Sequence, residues 1–218
     1  MNTRKNFGAD LKLIVVGNAG TGKTSFVNRW TKNTFNETYK ATIVSEFGYK
    51  IVMINDVIYR VQLWDLAGQD KNTCITKIFC RDAHGALIVS DCTDKNTLLE
   101  TQKWKASIDE NSKFLDGTDL PAVLIDNKCD LLKDLDSNSE EELRDFAKKN
   151  KFISAFRTSA KETTNVKESI EFLINEIIKK INALNPDDIK QANLTKTNDS
   201  IKIEKKDKVI KHKNKQCC

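Results

Sequence analysis

The residues with the clearest chemistry are Gly17-Asn18-Ala19-Gly20-Thr21-Gly22-Lys23-Thr24. They fit G-x-x-x-x-G-K-[ST], the pattern of a loop that cradles phosphate. Glycines let the backbone curl so that successive N–H groups face an anion, and the start of a following helix adds partial positive charge. Lys23 can reach β- and γ-phosphates as a point charge, and the Thr24 hydroxyl can ligate Mg²⁺. With glycine at about 7% of residues, a chance match in a chain of this length is about one in a hundred. The context lowers that further. The apolar run Leu11–Val16 before the loop reads as a buried strand, and Ser25–Trp30 after it reads as the first turns of a helix.

Three further clusters, each at the end of an apolar run, turn a phosphate loop toward one nucleotide and one reaction. Asn127-Lys128-Cys129-Asp130 places a carboxylate, Asp130, where it can accept from the N1–H and exocyclic amine of guanine. Adenine lacks that pair of donors and would leave the charge unpaired. Asn127 can bond N7 and tie loops together, and the Lys128 stem can lie against the ring. In Thr158-Ser159-Ala160-Lys161, the Ala160 N–H can meet the guanine O6. In Asp65-Leu66-Ala67-Gly68-Gln69, Asp65 can hold Mg²⁺ through a water. The Gly68 N–H can sense a γ-phosphate, and Gln69 can orient an attacking water. Thr42, 18 residues after Thr24, can join the metal when that phosphate is present, and Phe35 can stack edge-on against the base. Alone, each of these short matches is a polar loop; their order along the chain carries the argument.

Alternating strands and helices must position these groups. Strands are predicted at Leu11–Val16, Phe47–Ile54, Val57–Trp64, Gly85–Asp91, Pro121–Asn127 and Phe152–Arg157. Helices follow the phosphate loop, run from Asp94 to about Asn111, and end near Lys149, with Ser137 or Ser139 as cap and Glu142 completing a capping box. A last helix starts at Thr164 or Asn165, with Val166, Ile170, Leu173, Ile174, Ile177, Ile178 and Ile181 at helical spacing. Segments 33–45 and 65–79 read as loops, the second partly helical. The fold class is therefore α/β: a single phosphate-loop domain, with a mostly parallel six-stranded sheet, one antiparallel edge hairpin strand and helices on both faces. Ligands belong at the carboxyl ends of its strands.

Composition sets the outer bounds. The 218 residues suit one domain: a flexible lead over 1–10, the folded unit over 11–184, and a disordered basic tail over 185–218. The net charge is +5, and nine Lys against five acidic residues put +4 of it in the tail. A basic excess confined there argues against a nucleic-acid face on the domain. No run of about 18 apolar residues predicts a membrane span, and Met1–Asp10 has no apolar secretion core, so a cytosolic chain is expected. Cys74, Cys80, Cys92 and Cys129 are scattered, which predicts neither disulfide nor zinc.

Together these motifs resemble a small GTPase of the Ras superfamily, over about residues 9–184 plus the last two. Within it the chain resembles a Rab. Trp64-Asp65-Leu66-Ala67-Gly68-Gln69-Asp70 is similar to W-D-T-A-G-Q-E, Ala41-Thr42-Ile43 with Glu46-Phe47 is similar to the Rab switch sequence, and Cys217-Cys218 matches the doubly geranylgeranylated Rab end. Trp104-Lys105, Asn127–Leu131 and the insert near Leu115–Leu120 resemble the branch that serves lysosome-related organelles such as melanosomes. The resemblance implies GTP hydrolysis with Gln69 and Lys23 as catalytic residues. Nucleotide contacts are implied at Gly17, Ala19, Gly20, Thr21, Gly22, Lys23, Thr24, Ser25, Phe35, Tyr39, Thr42, Gly68, Asn127, Lys128, Asp130, Ser159, Ala160 and Lys161. Mg²⁺ would be held by Thr24, Thr42 and Asp65, with switches at about 35–46 and 67–78.

The resemblance also implies an exchange factor, a GTPase-activating protein, a GDP-dissociation inhibitor, an escort protein and effectors. It places the chain on the cytosolic face of endomembranes, endosomal or lysosome-related, cycling with the cytosol, held by geranylgeranyl groups on Cys217 and Cys218. The seven Lys between Lys202 and Lys215 would assist on an anionic leaflet. The chain departs from the Rab pattern at Val44-Ser45, Leu66, Asp70 and Lys71-Asn72, and none of these removes a phosphate, metal or guanine contact. A GTP-binding adaptor without turnover, and a small-molecule kinase sharing the phosphate loop, are the rival readings; Asn127–Asp130 argues against the kinase.

Overall fold

The computed structural model describes residues 6–38, 42, 46–68, 78–132 and 140–184. Six strands form one sheet: β1 (Asn6–Val16), β2 (Glu46–Ile54), β3 (Val57–Asp65), β4 (Gly85–Asp91), β5 (Ala122–Asn127) and β6 (Ser154–Arg157). Their order is β2-β3-β1-β4-β5-β6, and only β2 runs antiparallel to its neighbour. Helices α1 (Lys23–Lys32), α2 (Lys95–Asn111), α3 (Glu140–Lys149) and α4 (Val166–Ala183) alternate with the later strands. The expected α/β fold with one antiparallel edge strand is the observed one.

The hairpin shows why the edge strand turns where it does. Asn55 and Asp56 both take positive φ, 49° and 60°, as the two central residues of a type I′ turn. Glu46 then pairs with Asp65, which brings the loop after α1 to the carboxyl end of β3. The inner strands are buried on both faces, so their alternating pattern vanishes into continuous apolar runs. Helix α4 covers one face: a Cβ on Gly85 would lie 2.8 Å from Ile177 and 3.2 Å from Leu173. Helix α1 shares that face, with Thr31 against Gly48. Helix α2 packs on β4 and β5 from the opposite side.

Two boundaries depart from expectation. The sequence predicts a flexible lead over 1–10, but β1 begins at Asn6, whose backbone pairs with Val57. Backbone pairing with β3 extends the strand there, and Ala9 packs against the core. The last strand starts at Ser154 and not Phe152, because Phe152 turns into the core after Lys151 at φ 60°. The Ser137 and Ser139 caps lie outside the described residues.

Candidate nucleotide-binding site

A cleft of about 840 Å³ opens at the carboxyl ends of the strands, and it gathers residues from the phosphate loop and from the segments around Thr42, Gly68, Asn127 and Ala160. Val16 ends β1, and the chain turns at Gly17 with φ 142°; a Cβ there would sit 2.2 Å from the Val89 carbonyl oxygen. Gly22, φ 88°, caps α1, and its missing Cβ makes room for Asn127 Nδ2. Lys23 is buried and donates from Nζ to the carbonyls of Gly17 (2.9 Å) and Asn18 (2.8 Å). Burial pushes its pKa down to about 8, against the pull of Asp65. These carbonyls hold the ammonium at the mouth of the loop, where a phosphate oxygen can replace them.

Below the phosphate loop lies a cluster of hard oxygens. Thr24 Oγ1 donates to Asp65 Oδ2 at 2.5 Å and lies 2.8 Å from Thr42 Oγ1. Thr24 comes from the first turn of α1, Asp65 from the end of β3, and Thr42 from the loop between α1 and β2. This donor set fits Mg²⁺, which takes oxygen ligands and completes its shell with substrate phosphates and water. Gly68 lies against the loop: a Cβ would fall 2.4 Å from Ala19 N and 2.7 Å from Lys23 Nζ, so only glycine allows this approach.

The base end is braced by side chains that cross between loops. Asn127 donates Nδ2 to the Thr21 carbonyl at 2.9 Å, and its Oδ1 accepts from Thr158 Oγ1 and Ala160 N. Asp130 Oδ1 accepts from Ser159 Oγ at 2.6 Å, which leaves carboxylate capacity for two further donors. Ser159 Oγ accepts in turn from Glu162 N. Lys128 sits in the left-handed region, φ 68°, an outlier held by its surroundings. Its Nζ donates to Asp91 Oδ2 at 2.6 Å. Burial opposes ionisation of Asp91, but bonds from Lys128 and Thr93 hold its pKa below the usual carboxylate range.

Ala19, Gly20, Gly22, Lys23, Thr24, Ser25, Phe35, Thr42, Gly68, Asn127, Lys128, Asp130, Ala160 and Lys161 all line the cleft. Gly17, Thr21, Asp65 and Ser159 stand behind that lining and bond to it. Tyr39, Gln69, Cys217 and Cys218 lie outside the described residues. Arg29, Glu37 and Asp91 are among the contributors that escaped the sequence reading. Arg29 donates to the carbonyls of Ala160 (2.7 Å) and Lys161 (3.0 Å), and its guanidinium lies 5.9 Å from the Phe35 ring centroid. Glu37 pairs with Lys161 across the cleft at 3.4 Å. Asp91, at the end of β4 and level with Asn127, holds Lys128, and no sequence signal marks that pairing.

The Ras family profile matches residues 12–179. The chain is 41% identical over 172 residues to Ras-related protein Rab-32A of Dictyostelium discoideum, covering 77% of this chain and 78% of that one. It is 34% identical over 209 residues to Ras-related protein Rab-32 of Homo sapiens, covering 95% and 88%. Ras-related protein Rab-7L1 of Homo sapiens matches at 36% over 169 residues, covering 77% and 82%.

Proposed function

The chain belongs to the Ras family, as a small GTPase of the Rab kind, and we propose that it is a membrane-cycling switch that recruits effectors in its GTP form. One observation carries this reading. A carboxylate suited to guanine, Asp130, faces the same cleft as a buried lysine and a cluster of hard oxygens from three separate segments.

When GTP enters, Lys23 exchanges the Gly17 and Asn18 carbonyls for β- and γ-phosphate oxygens. Asp130 accepts the two N–H donors of the base, while Ser159 keeps its carboxylate aimed. Thr24, Thr42 and Asp65 would hold Mg²⁺, which would supply charge neutralisation to the phosphates. Thr42 and Gly68 belong to two different loops, so both loops depend on the γ-phosphate and both are released when it leaves. Gln69 orients the attacking water. No arginine of the chain is assigned to the γ-phosphate, so intrinsic hydrolysis is slow, on the order of 10⁻⁴ to 10⁻² s⁻¹, and an activating protein accelerates it.

The membrane part of the proposal rests on the tail: nine Lys among 34 residues, ending in Cys217-Cys218. Two lipid chains hold a protein stably where one does not. The likeness to Rab-32 and Rab-7L1 supports endosomal or lysosome-related membranes as the place of action. The test is single-turnover hydrolysis of GTP by the purified chain beside Gln69→Leu. Turnover that slows at least tenfold in the variant supports the switch. GTP held without turnover in the unmodified chain, with or without activating protein, would make it an adaptor. A tagged copy lacking Cys217 and Cys218 should move from endomembranes to the cytosol.

A further inference from the structure

Asn18 is the second residue of the phosphate loop, and its main-chain carbonyl accepts from both Lys23 Nζ (2.8 Å) and Thr21 Oγ1 (3.0 Å). Its side chain points the other way. Asn18 Oδ1 accepts from the indole Nε1 of Trp104 at 2.9 Å, across 86 residues of sequence. Trp104 lies in the middle of α2 and is 6% exposed.

Helix α2 is well placed to serve as a strut. It begins beside Asp91: Asp94 caps it by accepting from Asn96 N, and Thr97 Oγ1 accepts from Asp91 N and donates to the Asp94 carbonyl at 2.7 Å. Asp91 is the residue that holds Lys128. Trp104 follows Thr97 by seven residues, about two turns or 10 Å along the axis. Leu98, Thr101, Trp104, Lys105 and Ile108 form its buried stripe, and buried Lys105 is neutralised within the helix by both oxygens of Asp109 at 2.6 Å. One helix thus bonds at its start to Asp91, the residue that holds Lys128, and at its centre to the phosphate loop. On the far side of the loop, Gly68 abuts Asn18 and Ala19.

We propose that Trp104 is a positioning residue for nucleotide binding: through Asn18 it holds the arc Gly17–Ala19 in the shape that receives phosphate, and α2 ties that arc to the base loop. The loop carries several main-chain donors that repel one another when no anion is present, and a fixed side-chain tether lowers the cost of keeping them converged. This rests on the assignment of Gly17–Thr24 as the phosphate loop.

The test is the release rate of a fluorescent GDP from the full chain. Trp104→Phe keeps an aromatic ring in the core and removes the donor; Asn18→Ala removes the acceptor. Each should speed release about two- to tenfold, the range of one neutral hydrogen bond, and the double variant should be no faster than either single one. Ile108→Val, which loosens α2 without touching Asn18, should lower the thermal midpoint and leave release unchanged. Release equal to the unmodified chain in both single variants, additive effects in the double, or the same acceleration in Ile108→Val would each overturn the proposal. An unmodified chain that retains no guanine nucleotide would overturn the site assignment instead.

Discussion

At the scale of single residues, charge and burial decide the behaviour of the cleft. Lys23 carries a folded-state pKa of about 8 in place of the ordinary 10.5, chiefly through desolvation. The unfolded chain therefore binds the extra proton between those values, and Lys23 makes the nucleotide-free fold gain stability as pH rises from about 8 toward 10.5. Nucleotide needs the ammonium, so its affinity should fall over the same window, with a proton taken up on binding. Titration calorimetry in buffers of different ionisation enthalpy measures that proton; no uptake above pH 8 would refute the shift. Asp130→Asn puts an amide where two donors expect a carboxylate, and GTP affinity should fall about a hundredfold or more. Competition against labelled GDP reads this, and a loss under about threefold would remove Asp130 from the base site. That Lys23 and Asp130 meet at one cleft was legible from the sequence, because both belong to motifs placed at strand ends. Their bracing was not. Asp91 under Lys128 and Arg29 on the Ala160 carbonyl are 37 and 131 residues from their partners, and no local pattern marks such pairs.

At the scale of elements, turns and helix seats hold the cleft's walls. The Asn55-Asp56 turn carries a non-glycine residue at φ 60°. Asp56→Gly should stabilise the hairpin by about 0.5–1 kcal/mol and raise the thermal midpoint by about 1–4 °C, checked by calorimetry. Helix α4 seats Leu173, fully buried, over Gly85. Leu173→Ala should cost about 2–5 kcal/mol by denaturant unfolding, since the sheet beneath is too tightly packed to fill the void. Strand and helix existence followed from apolar periodicity. The start of β1 did not, because Asn6, Phe7 and Asp10 join the sheet through backbone pairing, with a register irregularity between Phe7 and Asp10 that no periodicity marks.

At the scale of the whole molecule, the described fold closes at Leu184, where the last apolar contact of α4 ends. We infer that residues 185–218 contribute to membrane attachment and not to the stability of the domain. A chain truncated after Leu184 should keep its thermal midpoint and GDP release rate. It should lose binding to anionic vesicles, which in the unlipidated full chain should weaken with salt, at about 1 kcal/mol per lysine near the surface. A midpoint lowered by more than about 4 °C would make the tail part of the fold.

By itself the sequence determined the phosphate loop, the guanine motif, the alternation of strands and helices, and the family those features belong to. Each is a local pattern, set by which backbone shapes glycine permits and which faces apolar residues must bury. Only the tertiary structure decided how the motifs are held against one another. Thr24, Thr42 and Asp65 converge within hydrogen-bond distance because α1 begins, β3 ends and the loop after α1 passes at one edge of the sheet. Trp104 reaches Asn18 because α2 packs across β4, and the register of β1 beside β4 brings the loop beneath it. Contacts of that kind come from packing between elements, which no spacing along the chain encodes.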